Sequence, residues 1–67
     1  MVLQKMLKAK IIAKGYDVNE FLTEIKMSTT QWYARLNGTV DFTRNEIENI
    51  CQKLSLTDEE LLQIFFA

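Results

Sequence analysis

One motif, repeated four times, confines this chain to short helices joined by tight turns. An apolar residue precedes a helix-capping side chain, Glu or Gln follows three positions after the cap, and a second apolar residue comes next. The copies are Tyr16-Asp17-x-x-Glu20-Phe21, Met27-Ser28-x-x-Gln31-Trp32, Phe42-Thr43-x-x-Glu46-Ile47 and Leu56-Thr57-x-x-Glu60-Leu61. Each is a capping box with a hydrophobic staple: the cap oxygen accepts from the N–H three residues on, and the Glu or Gln reaches back to the cap's own N–H. The apolar pair packs across the turn and sets the direction in which the chain enters the helix. Each cap stabilises its helix by roughly 1 kcal/mol. One copy means little, whereas four in 67 residues mark four helix starts.

A fifth helix precedes the first box. Leu3, Leu7 and Ile11 recur at four-residue spacing, Met6 and Ile12 widen the stripe, and Gly15 ends it as a left-handed cap. The expected helices span 2–13, 18–25, 29–37, 44–53 and 58–65. The fourth carries Ile47, Ile50, Cys51 and Leu54 on one apolar face. Proline is absent, and no stretch sustains the alternation of a strand. The expected fold is therefore all-α: one compact five-helix domain over residues 1–67.

Size and composition narrow the chemistry. A chain this short leaves no room for a large enclosed active site. Cys51 is the sole cysteine and histidine is absent, which excludes an internal disulfide, a Cys/His zinc site and histidine-assisted nucleophilic catalysis. Glu46 and Glu48 fall on different helix faces and make a poor catalytic pair. Asp58-Glu59-Glu60 reads as favourable charge at a helix N-terminus, not as a metal site. The expectation is a protein that is no enzyme and takes no cofactor, metal or small-molecule substrate. The apolar runs are too short to cross a bilayer, and the start lacks the pattern of a secretory leader. A cytoplasmic, nucleoid-associated location follows as the expectation, with no membrane partner.

Charge is unevenly distributed. The total is −1, but residues 1–40 carry net +3 and residues 41–67 net −4. The first half suits an anionic partner and the second half solvent or a protein. The lysines of the first helix read equally well as a solvated face or as a phosphate-facing one.

The second and third helices are separated by Lys26-Met27-Ser28, the spacing of a helix-turn-helix. In the third, Trp32 and Leu36 are four apart and point to the core. Thr29, Thr30, Tyr33 and Asn37 share another face, with Ala34 beside them. Two hydroxyls, a phenol and an amide on one exposed face suit hydrogen bonding to base edges and phosphates. Core packing is the expectation for Trp32, and a buried structural thiol for Cys51.

Ser28 to Gly38, Asp41-Phe42-Thr43, the spacing of Ile47, Ile50, Cys51 and Leu54, and the acidic start of the last helix together resemble the lambda-repressor-like family. The likeness is to its Cro/repressor (XRE-type) members from phages of low-GC Gram-positive bacteria, and it extends from Leu7 to Phe66. The resemblance implies a third helix that enters the major groove, commonly as a homodimer on near-palindromic operator DNA. It implies base contacts from Thr29, Thr30, Tyr33 and Ala34, with Ser28 and Gln31 at the same helix start. Phosphate contacts are implied for Asn37 and Arg44. Three residues depart from the family pattern. Val18 stands where many relatives carry a phosphate-binding glutamine, Leu22 where a small residue is usual, and Lys26 where glycine is frequent. Lys26 compensates with a positive charge.

Two functions follow as expectations. The first is a Cro-like regulator that binds double-stranded operator DNA and represses transcription. The second is a modulator that keeps the fold and acts by binding a partner repressor protein. The last helix bears on both. Leu61, Leu62, Ile64, Phe65 and Phe66 wrap around most of it, so one face cannot bury them all. Leu62, Phe65 and Phe66 are the expected dimer or partner surface, with Phe65 or Phe66 exposed.

Overall fold

All four boxes form. In the computed structural model, which describes residues 2–66, Asp17, Ser28, Thr43 and Thr57 each accept from the N–H of the residue three positions on. Glu20, Gln31, Glu46 and Glu60 each reach back to the cap N–H at 2.8–3.1 Å. They open α2 (Val18–Ile25), α3 (Thr29–Leu36), α4 (Arg44–Leu54) and α5 (Asp58–Phe65). The first helix, α1 (Gln4–Ala13), has no side-chain cap. Its start is fixed from outside, because the Leu3 N–H donates to the Ile64 carbonyl of α5 at 2.8 Å. That bond explains why α1 begins two residues later than its periodicity suggests.

Four helices end in one way. Tyr16, Met27, Thr39 and Leu56 donate their N–H groups to Ile11, Leu22, Ala34 and Cys51, and the residue before each donor is left-handed. These are Schellman caps, whose pivot glycine fills most cheaply. Gly15 and Gly38, the only glycines, serve two of them; Lys26 and Ser55 serve the others at φ 56° and 52°. Neither left-handed side chain was foreseen from helix periodicity. Because Asn37 caps α3 just before Gly38, it stands outside the helix that had been expected to include it. Left-handed backbone costs a side-chain-bearing residue about 1–2 kcal/mol, and glycine returns about 0.4–1 kcal/mol of that as unfolded-state freedom. Ser55→Gly is therefore expected to stabilise the fold by about 0.5–1 kcal/mol in urea denaturation. A variant no more stable than the parent would show that the turn stores no strain.

The staple residues build the core. Tyr16, Phe21, Trp32, Phe42 and Phe65 form a chain of edge-to-face ring contacts with centroids 5.3–6.0 Å apart. Four of these rings sit immediately before a cap or four residues after one. Leu7, Ile11, Ile50 and Ile64 close around them, fully buried. The Cα radius of gyration, 10.7 Å, is that of a tightly packed chain of this length.

Two capping glutamates also join helices. The Glu46 carboxylate accepts from both Thr43 N–H and Arg35 Nε, each at 2.8 Å, which ties α3 to α4. Glu60 holds Thr57 N–H and pairs with Lys10, tying α5 to α1. Burial pushes Glu46 up, but hydrogen bonds from Arg35 and Thr43 outweigh it and hold the carboxyl below its ordinary value. Lys10, then the Thr57 N–H, lowers Glu60 likewise. A depressed folded value adds stability at neutral pH, and this is lost as pH falls from the ordinary 4.5 through the lower folded values. Glu46→Gln with Glu60→Gln keeps the boxes, since Gln31 already performs the same role in α3. The double variant is expected to lose stability less steeply than the parent on acidification. Parallel urea midpoints across that range would show that the charges are irrelevant.

Candidate nucleic-acid interface

The α3 surface is arranged by what the helix buries. Trp32 is 3% exposed and Leu36 packs against the core, so the opposite side of α3 must face solvent. Thr29, Thr30, Gln31, Tyr33 and Asn37 are exposed around the rest of α3, and Ala34 is half-buried. Tyr33 keeps 50% of its surface in water. Among the described residues, the side chains of Thr29, Thr30, Tyr33 and Asn37 make no hydrogen bond within the chain, so their donors and acceptors are free.

Ser28 and Gln31 are differently placed. Each already spends one oxygen on the capping box, which leaves the Ser28 hydroxyl proton and the Gln31 amide NH₂ available. Arg35 is taken out of the surface altogether, because it bonds Glu46 and the Gln31 carbonyl. Arg44 is 91% exposed at the start of α4, yet its Nε faces Glu48 at 3.1 Å. Lys26 is exposed in the turn before α3.

The cations divide into two groups. Lys10, Arg35, Arg44 and Lys53 each stand against a carboxylate. Lys5, Lys8, Lys14 and Lys26 have no such partner among the described residues. All four belong to α1 and to the segments just after α1 and α2, so the positive bias of residues 1–40 is a bias of unpaired charge.

Sequence reasoning missed Gln4. Its amide donates to the Leu36 carbonyl at 2.9 Å, closing the last turn of α3 from 32 residues away. Nothing local marks this residue, because the bond exists only once α1 lies beside α3.

Two expectations for the apolar residues need correction. Phe65 is 7% exposed and packs edge-to-face on Phe42, so it belongs to the core and not to a dimer or partner surface. The Leu3–Ile64 bond and the Phe42 ring close over that side of α5. Leu62 and Phe66 remain 56% and 62% exposed, one turn apart. Cys51 is only partly buried; its surroundings, then Asp58, push the thiol above its ordinary value. No helix among the described residues is long and apolar enough to cross a membrane.

Searches of protein-family models, curated proteins and solved structures each find no match to this chain.

Proposed function

We propose that this protein is a Cro-like transcription regulator of the lambda-repressor-like type. It binds double-stranded operator DNA with α3 in the major groove and represses by occluding a promoter. The supporting observation is the free polar face of α3, held by a buried Trp32 on the side opposite the groove. Threonine hydroxyls and the Asn37 amide match the donor and acceptor pattern of base edges and phosphates. Thr29, Thr30, Tyr33 and Ala34 serve as base readers in this proposal. Lys26, Ser28, Gln31, Asn37 and Arg44 hold the backbone. Leu62 and Phe66 pair two copies about a two-fold axis, which presents two α3 helices to a palindrome.

Exposure of Leu62 and Phe66 beside the exposed carboxylates Asp58 and Glu59 favours one other reading, a modulator that binds a partner repressor protein. A mobility-shift titration on duplexes selected from a randomised pool separates the two. Under the first reading, Thr30→Ala and Tyr33→Ala lower discrimination between selected and unselected duplexes by up to about 1–3 kcal/mol. Lys26→Gly weakens binding to every duplex and flattens its salt dependence by about one phosphate, while relieving the left-handed strain in the turn. Stability and affinity then move in opposite directions. Absence of sequence preference at low salt would sink direct reading and leave the modulator.

A further inference from the structure

We infer that Lys8 of α1 is a phosphate-binding residue at one long edge of the α3 surface, an inference that rests on the DNA reading above. Gln4 fastens α1 to the end of α3 through the Leu36 carbonyl. One turn further along α1, Lys8 lines the same narrow groove as Tyr33. The groove holds about 170 Å³, below the range of about 300–1,000 Å³ usual for small-molecule sites.

Lys8 and Lys10 point in opposite directions. Lys10 is two residues beyond Lys8, roughly 200° around the helix, and is neutralised by Glu60 of α5. Lys8 is exposed on the α3 side and has no carboxylate partner among the described residues. Its charge thus stands next to Tyr33, at the edge of the free polar face.

Groove dimensions supply the ligand. A helix with its side chains is about 10–12 Å across, and the major groove about 12 Å wide. A helix seated there has a phosphate row along each long edge. The row on the Tyr33 side meets α1, and Lys8 is the cation α1 offers at that edge. Of the α1 lysines, whose sequence fits a solvated or a phosphate-facing role equally well, Lys8 is the one that lines this groove.

The test is a fluorescence-anisotropy titration of a selected duplex at several salt concentrations, comparing wild type, Lys8→Gln and Lys53→Gln. Lys53 lies on α4 against Glu24, so its substitution removes equal charge away from the groove. Lys8→Gln is expected to make the slope of log affinity against log salt shallower by about 0.9, with the preference for the selected duplex unchanged. Lys53→Gln keeps the parental slope. If the parent binds and Lys8→Gln keeps its slope, or if both variants lose slope equally, the assignment of Lys8 is wrong while the DNA reading stands. If the parent binds no duplex, both fall together.

Discussion

Trp32→Ala is expected to remove a large fraction of the stability of the fold and to lower its urea midpoint sharply. Trp32 is 3% exposed and is the central ring of the aromatic chain, touching Phe21 of α2 and Phe42 ahead of α4. Removing a buried Trp or Phe side chain typically costs about 3–5 kcal/mol through lost transfer energy and the cavity left behind. A domain of this length has a total stability of about 3–10 kcal/mol, at roughly 0.05–0.15 kcal/mol per residue. The loss is therefore a large fraction of the whole. Local repair is poor as well, because Trp32 joins three elements and no one helix can shift to fill the space. Far-ultraviolet circular dichroism in a urea series checks this, as it needs no tryptophan signal. A cooperative transition with a midpoint near that of wild type would refute the central role given to this ring. Trp32→Phe keeps an aromatic edge for both neighbours and is expected to fold at reduced stability.

The second large effect is a contrast between adjacent phenylalanines. Phe65→Ala removes a ring that is 7% exposed and packed 5.3 Å from Phe42, and should cost about 3–5 kcal/mol. Phe66→Ala removes one that is 62% exposed and should stay within about 0.5 kcal/mol of the parent. Association behaves in the reverse way. Under the homodimer proposal, Phe66→Ala shifts sedimentation equilibrium toward monomer at unchanged stability, because the residue contributes to the assembly and not to the core. A parent that stays monomeric at high concentration would end that proposal. Equal destabilisation by the two substitutions would overturn the distinction between them.

The Phe65–Phe66 pair also shows where reading the residues alone fails. Apolar side chains surround nearly the whole of α5, so helical periodicity has no polar face from which to orient it. The burial of Phe65 follows from the approach of Phe42, 23 positions earlier in the chain, and of the Leu3 N–H. Cys51 follows the same logic on a smaller scale: its helix face is legible, but the depth at which that face is covered is not.

Helix starts are another matter. A capping box is closed within four residues, so its energetics are complete before any tertiary contact exists. Asp17, Ser28, Thr43 and Thr57 could therefore be placed to the residue, and the helices they open fix the all-α class. The staples add to this, since Phe21 and Trp32 must point inward once their helices start where they do. Gly15 and Gly38 mark two helix ends for a similarly local reason, the ease with which glycine takes a left-handed backbone. The free polar face of α3 belongs to the same class of inference, because burying Trp32 and Leu36 turns Thr30 and Asn37 outward and sets Thr29 and Tyr33 along the flank.

Tertiary structure alone decided what depends on long sequence separation. It set the start of α1 through α5, closed α3 with Gln4, and gave Glu46 and Glu60 second partners in Arg35 and Lys10. It also put Lys8, and not Lys10, beside Tyr33. Local hydrogen bonds dictated where α2 to α5 begin, whereas the start of α1 and the rotation of α5 about its axis were set by packing against neighbours that only the folded chain brings together.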